Sequence, residues 1–202
     1  MGCDFLSNPF CAGLPDELRA MLCPVCHIKR YAQGQYCSQE YWKNTFALLL
    51  DGLMIMGDVD PATGRILTNG IASRGTLISD GGLITGALAQ AIEDRSVLCL
   101  LDCSVATFSS VEIGRIFKSN MEFAVHVFEN CMQNCSVEKS DMMREVGSKD
   151  AYAGVRYVIR YCRRHNIPQL THAQIAMICN RSRTTVTEIM HKLIRAEPEL
   201  FC

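Results

Sequence analysis

The 202-residue sequence lacks the features that mark membrane and exported proteins. Its apolar runs are far shorter than the roughly 20 residues that a membrane-spanning helix needs. The first residues contain neither the basic segment nor the apolar stretch of a secretory signal peptide. We therefore expect a cytoplasmic protein with no membrane partner.

Motifs of the common enzyme classes are also missing. There is no phosphate-binding loop, no Gly-x-Ser-x-Gly nucleophile elbow and no helix motif with two metal-binding histidines. Apolar residues make up 49% of the chain and charged residues 20%, which is typical of a folded protein. The length suits one compact domain or two small ones. We expect a folded protein that is not an enzyme.

The charge is nearly balanced overall but unevenly distributed. The net charge is −1, yet residues 1–147 carry 11 Lys and Arg against 17 Asp and Glu, and residues 148–202 carry 9 against 4. A basic C-terminal quarter on an acidic body is typical of a chain whose one end contacts a polyanion. A solvated basic surface would have the same composition.

Cysteine is abundant, with twelve residues. Disulfides are rare in the cytoplasm, so these residues are interpreted as buried apolar groups, metal ligands or redox thiols. Cys23 and Cys26 form a C-x-x-C pair, and together with Cys37 they are the candidates for an iron–sulfur cluster, a zinc site or a redox switch. We expect no cofactor, and the cluster or zinc is the alternative.

The pattern along the chain predicts a β-rich region followed by helices. Between about residues 28 and 108, short β-prone runs alternate with glycine turns, which indicates an antiparallel barrel or roll of about eight strands. From Met121 to Val146, apolar residues recur at helical spacing and predict a helix of about 25 residues. Gly147 then breaks the pattern and is interpreted as a hinge.

The apolar stripe of this helix is typical of a dimer seam, and the alternative is a helix that lies on its own roll. The residues expected at the dimer interface are Met121, Val125, Phe128, Met132 and Cys135.

Residues 171 to about 194 have the pattern of a helix-turn-helix. Thr171 and Ser182 are suited to cap the two helices, and Asn180 stands where the turn needs a positive φ. Such a motif places the start of its second helix in the DNA major groove, where Arg183 can bind guanine O6 and N7. The alternative is an ordinary helical hairpin with an exposed polar face.

The segment Ser182-Arg183-Thr184-Thr185-Val186, after a β-rich region and one long helix, resembles the Crp/Fnr family of bacterial transcription regulators. The β-rich region matches at Leu14-Pro15 and at residues 30–35, 50–55 and 75–83. The resemblance implies an α+β fold. It consists of an antiparallel β-roll (a double-stranded β-helix) over residues 1–116, a long dimerisation helix and hinge over 117–147, and a helix-turn-helix domain over 148–202. The wing that usually follows is expected to be missing or reduced to one strand.

The resemblance also implies a function. It predicts an effector-responsive, homodimeric transcription regulator that binds a palindromic site in double-stranded DNA, with RNA polymerase as a further candidate partner. Ser182 would touch a phosphate and Arg183 would read a base, while Thr184 stands where many members have glutamate. The residues implied at the DNA are Thr171, Ser182, Arg183, Thr184, Thr187, Glu188 and Lys192.

Members of the family bind a small effector in the roll. The pocket residues implied here are Ser79, Asp80, Gly81, Gly82, Leu83 and Phe128. The stretch 85–90 lacks the arginine that cyclic-nucleotide members carry, and a buried phosphate without a cationic partner would be costly. We therefore expect an uncharged or carboxylated effector, or none.

Two other functions fit the sequence. One is a redox or oxygen sensor of the same family that uses the N-terminal cysteines. The other is a ligand-binding interaction module that has lost DNA binding.

Overall fold

The structure is a computed structural model that describes residues 7–38, 45–80, 95–133 and 139–201. Its strands are β1 (His27–Tyr31), β2 (Tyr36–Ser38), β3 (Thr45–Asp51), β4 (Met54–Val59), β5 (Ile66–Ala72), β6 (Leu77–Asp80), β7 (Arg95–Cys99) and β8 (Cys103–Ser109). Its helices are α1 (Pro9–Ala12), α2 (Asp16–Leu22), α3 (Ser110–Ser119), α4 (Met121–Met132), α5 (Lys139–Val146), α6 (Ala151–Arg164), α7 (His172–Ile178) and α8 (Arg183–Ala196). Within these ranges, no helix combines the length and hydropathy that crossing a bilayer requires.

The eight strands form two four-stranded sheets, in the orders β1-β8-β3-β6 and β2-β7-β4-β5. Every strand pair in the two sheets is antiparallel. Leu49 and Val105 of the first sheet pack against Met54 and Val97 of the second, so the sheets share an apolar interior. The prediction of about eight antiparallel strands is confirmed for the described residues.

The helical region after the sheets is divided. Asn120 ends α3 and caps α4, since its side chain accepts a hydrogen bond from the Phe123 amide at 2.9 Å. The predicted 25-residue helix is described in two parts, α4 and α5, and residues 134–138 between them lie outside the described residues. Phe123 and Val127 anchor α4 on the core formed by α1, α2 and the first sheet. The predicted boundary at residue 116 falls inside α3.

The C-terminal helices share a core with the second sheet. Leu53, just before β4, and Leu100, just after β7, belong to one buried cluster. The same cluster contains Val155 of α6, Ile175 of α7 and Val186 of α8. α5 also contributes to this cluster, through Met142 and Val146. The helix-turn-helix pair is therefore fixed on the β-structure by continuous apolar packing.

Edge strand β5 adds specific hydrogen bonds to this contact. The Thr68 amide donates to Asn180 Oδ1 and Asn180 Nδ2 donates to the Thr68 carbonyl, each at 2.9 Å. The Thr68 hydroxyl donates to the Met177 carbonyl at 3.0 Å. Further along, the Tyr161 hydroxyl donates to Ser73 Oγ at 2.9 Å. These bonds pair backbone groups of Thr68 that would otherwise be unpaired at the edge of β5, and they fix the position of the helices along the strand.

The chain after α8 folds back on α6. Glu197 lies 2.7 Å from Arg156 and 3.6 Å from Arg160, and a 3₁₀ turn follows at Pro198–Phe201. Of the two alternatives expected for the wing, missing or reduced to one strand, the second is wrong for the described residues, which contain no strand after α8. The two arginines draw residues 197–201 onto α6, which leaves no extended segment there to pair as a strand.

Replacement of Asn180 separates backbone strain from side-chain bonding. Asn180 has φ of 51°, which an alanine adopts at a cost of about 1 kcal/mol. Asn180→Gly should lower the free energy of unfolding by about 1–2 kcal/mol through the two lost hydrogen bonds. Asn180→Ala should lower it by about 1 kcal/mol more. Urea denaturation measures both, and equal values for the two variants would contradict this description of the turn.

Candidate DNA-binding surface

Both helices of the pair begin at the predicted caps. The side chain of Thr171 accepts a hydrogen bond from the Gln174 amide, and the Thr171 amide donates to Gln174 Oε1 at 2.8 Å, which completes a capping box. Ser182 Oγ accepts from the Thr185 amide at 3.1 Å. The two caps define where α7 and α8 start, and so fix which residues lie at the N-terminal end of α8.

The buried side of the pair is formed by the residues that the sequence pattern selected. The apolar residues that the pair buries include Ile175, Ala176, Ile178, Val186, Ile189 and Leu193. Because these positions face inward, the remaining face of α8 is directed outward at a helical spacing.

The outward face of α8 is mainly polar, and most of its charged residues are basic. Arg183, Thr184, Glu188 and Lys192 are exposed, as predicted. Sequence reasoning missed His191 and Arg195, which are exposed in the same helix. His191 follows Thr187 by four residues, and Arg195 follows Glu188 by seven. This helical spacing could have identified both from the sequence. The surface therefore carries three cationic side chains, of Arg183, Lys192 and Arg195, and one acidic side chain, of Glu188.

Thr187 differs from the other predicted contacts. It is half-buried, and its hydroxyl donates to the Arg183 carbonyl at 3.0 Å. The same oxygen lies 2.9 Å from His172 Nδ1. Thr187 therefore joins α8 to the start of α7, and its hydroxyl is already engaged. The sequence carried no signal for the partnership with His172, because the two residues meet only when the helices cross.

Arg181 ties the turn to the segment before α6. Its Nη2 donates to the Ser148 carbonyl at 2.7 Å. Together with the bonds of Asn180 to Thr68, this contact holds the residues immediately before α8 from two sides. The start of α8 is therefore positioned by the β-structure and by the predicted hinge region.

Helix α4 exposes an apolar stripe. The exposed fractions are 78% for Met121, 47% for Val125, 51% for Phe128 and 46% for Met132. These positions recur at four, three and four residues, so they share one helix face. They are the predicted interface residues, except for Cys135, which lies outside the described residues. Phe128, which was also expected in the effector pocket, belongs to this exposed face.

The rest of the predicted effector pocket is only partly described. Ser79 and Asp80 lie at the end of β6, where they pair with Ala47 and Phe46 of β3. Gly81, Gly82 and Leu83 lie outside the described residues. The assembly of an effector pocket from these residues stays a prediction.

The three candidate metal-binding cysteines are not brought together. Cys37 is buried between the two sheets, whereas Cys26 packs against the separate core that contains α1 and α2. Cys23 begins the 3₁₀ turn that follows α2. In the described ranges, no three His, Cys, Asp or Glu side chains are grouped as a metal site. Grouping Cys37 with the C-x-x-C pair was wrong, because strand β2 carries it into a different core.

No family model and no curated protein sequence matches the chain. Solved structures do match. The chain is similar to the c-di-GMP responsive global regulator CLP of Xanthomonas campestris, with 13% identity, a TM-score of 0.64, and coverage of 89% of this chain and 91% of that one. A putative transcriptional regulator of the Crp/Fnr family from Eubacterium rectale gives a TM-score of 0.65 at 13% identity, with 92% and 86% coverage.

A transcriptional regulator of the CRP family from Thermus thermophilus matches with a TM-score of 0.62 at 14% identity, over 83% of this chain and 84% of that one. The chain therefore has the fold of the Crp/Fnr transcription regulators, as the resemblance in sequence predicted. These structural neighbours are regulators and not enzymes.

The Ser182 cap can be tested by two substitutions. Ser182→Ala removes the acceptor for the Thr185 amide and should lower the free energy of unfolding by about 1 kcal/mol. Ser182→Asp keeps an oxygen acceptor and places a negative charge at the helix N-terminus, so it should retain wild-type stability. Urea denaturation measures both. If the Ala variant is as stable as the Asp variant, the Ser182 side chain does not stabilise α8 as a cap.

Proposed function

We propose that this chain is a sequence-specific DNA-binding transcription regulator that acts as a homodimer in the cytoplasm. The observation that carries the proposal is the capped start of α8, where Arg183 is exposed on a face with further basic side chains. The fold shared with Crp/Fnr regulators supports the proposal.

The N-terminal end of α8 has the chemistry for both phosphate and base contacts. Free amides at a helix N-terminus attract phosphate, and the exposed hydroxyl of Ser182 lies at the same end. Arg183 follows directly and can bind guanine O6 and N7 with its two-pronged guanidinium group. Glu188, one turn further, can accept from the cytosine amino group. Thr171 at the start of α7 and Lys192 further along α8 are exposed and are the remaining candidates for phosphate contacts.

The exposed stripe of α4 supports dimer formation. An apolar row of Met121, Val125, Phe128 and Met132 on the outer face of α4 is unfavourable in water, and a second copy of the same helix would bury it. A twofold axis along this stripe would duplicate the α8 surface. Two such helices bind half-sites about one DNA turn, roughly 10 base pairs, apart.

Regulation by an effector would act through the contact between the sheets and the helices. A ligand that binds differently to two arrangements of the β-structure changes their populations. Since Thr68 of β5 holds Asn180 at the turn, such a change would reach the start of α8. The effector class expected from the sequence, uncharged or carboxylated, is part of this proposal, and so is RNA polymerase as a further partner.

Arg183→Ala tests base reading. The variant should lose about 1–3 kcal/mol of discrimination at one base pair, because the bidentate contact to guanine is gone. Sequences selected from genomic fragments by the wild type, and single-base variants of them, provide the substrates for gel-shift titration. Lys192→Ala is the matched control. It should weaken binding to all sequences about equally, and it should reduce the slope of log affinity against log salt concentration by about 1.

Equal affinities of Arg183→Ala and wild type across every sequence tested would contradict the base-reading role. The role would also be contradicted if Arg183→Ala lost affinity equally for all sequences, as Lys192→Ala is expected to do.

Phe128→Glu tests the dimer. A carboxylate in the middle of the stripe would face its own copy across the twofold axis, so the variant should be monomeric in sedimentation equilibrium where the wild type is dimeric. Val59→Glu changes an exposed apolar residue of β4, outside the stripe, and should leave the dimer unchanged. A wild type that sediments as a monomer at every concentration would overturn this part of the proposal.

A further inference from the structure

The C-terminal helices enclose a cavity to which the proposed function assigns no role. It has a volume of about 200 Å³ and lies between α6, α7, α8 and the 3₁₀ turn at Pro198–Phe201. Voids in a protein interior seldom exceed the size of a water molecule, and a cavity of roughly 150 Å³ already holds a benzene molecule. The space is therefore large enough for a small organic ligand.

The walls of the cavity are mostly apolar. Val158 of α6, Ile175 of α7 and Met190 of α8 line it and are buried. Leu200 and Phe201 of the terminal turn form a further wall and pack against the same core. Pockets that bind small molecules have this composition, because an apolar ligand leaves water when it enters them. The walls therefore suit an apolar group.

The mouth of the cavity carries a positive charge. Arg163 and Gln169 line the cavity and are exposed, so the cavity reaches the protein surface at these residues. Arg163 Nη1 donates a hydrogen bond to the Glu199 carbonyl, which holds the guanidinium group beside the terminal turn. A carbonyl does not neutralise the guanidinium charge, and no Asp or Glu of the described ranges lines the cavity. The mouth therefore attracts an anionic group.

The size of the cavity limits the length of the ligand. A methylene group and a water molecule are similar in size, and each fills about 30 Å³. The cavity therefore holds an apolar chain of about seven carbon atoms. One arginine at the mouth balances the single charge of a carboxylate, whose two oxygens match the fork of a guanidinium group.

We propose that this cavity binds a small carboxylic acid with an apolar body. The body lies against Val158, Ile175 and Met190, and the carboxylate accepts hydrogen bonds from Arg163 at the mouth. Such a ligand contacts both helices of the helix-turn-helix pair. Binding requires only the C-terminal helices and the terminal turn, and so it does not depend on the proposed DNA binding.

NMR of the full chain with methyl-labelled methionine locates the ligand. Octanoate is the probe, because its chain fills the cavity while its carboxylate reaches the mouth. The Met190 signal, assigned by its loss in Met190→Leu, should shift as octanoate is added, and the signal of Met21, exposed on α2, should not. Absence of a Met190 shift at millimolar octanoate would overturn the proposal. Shifts confined to Met121 and Met132 would also overturn it, since they would place octanoate on the exposed face of α4.

Arg163→Gln and Arg164→Gln distinguish a specific contact from a general effect of charge. Each removes one positive charge from an exposed position of α6, and of the two residues Arg163 alone lines the cavity. Arg163→Gln should weaken octanoate binding about tenfold, because charge-assisted hydrogen bonds are lost. Arg164→Gln should bind octanoate with wild-type affinity. Isothermal titration calorimetry measures both, and equal affinities of the two variants would overturn the role of Arg163.

Octanol separates recognition of the charge from the shape of the cavity. It has the same chain without the carboxylate, so wild type and Arg163→Gln should bind it with equal affinity. If Arg163→Gln weakens octanol and octanoate binding to the same extent, the substitution has changed the cavity itself, and recognition of a carboxylate is overturned.

Filling the cavity tests its location. Cys162 is buried and lines the cavity, so Cys162→Leu adds apolar volume there and should abolish binding of both octanoate and octanol. Circular dichroism establishes that the variant is folded. If it is not, Ile159→Trp enlarges a half-buried residue of the same wall and should have the same effect. Wild-type affinity for octanoate in a folded variant of either kind would overturn the proposal.

Discussion

The apolar core shared by the second sheet and the C-terminal helices is the constraint on which the rest of the structure depends. Each fully buried Leu, Ile or Val in it contributes about 1.5–3 kcal/mol, whereas a hydrogen bond contributes about 1 kcal/mol. The core therefore supplies the stability of the contact, through residues such as Leu53, Ile175 and Val186. The hydrogen bonds between Thr68 and Asn180 supply its register, because they form in one alignment only.

This arrangement leaves two surfaces outside the core, and each suits a different partner. The start of α8 is polar and basic, and it is held by caps and by the turn. The outer face of α4 is apolar, while its inner face is anchored by Phe123 and Val127. A rigid link between the basic surface and the sheets is what the proposed regulation of DNA binding by an effector requires.

Local features of the fold were predictable from the sequence, and long-range ones were not. The caps at Thr171 and Ser182 and the positive φ of Asn180 follow from side-chain chemistry within a few residues, so sequence alone identified them. The contact of Thr187 with His172 and the burial of Cys37 with Cys99 depend on how distant segments cross. For the same reason, the pairing of Cys37 with the C-x-x-C motif failed. The core shared by the second sheet and the C-terminal helices was not predicted, because the β-rich region and the helix-turn-helix region were interpreted as separate domains.

The measurement that tests the central claim most directly is selection of random double-stranded DNA by the purified protein, followed by hydroxyl-radical footprinting of the enriched sequence. A homodimeric reader predicts an inverted repeat whose half-site centres are about 10 base pairs apart, with protection on one face of the duplex. Failure to enrich any sequence at low salt, or enrichment of a single half-site bound by one protomer, would contradict the account.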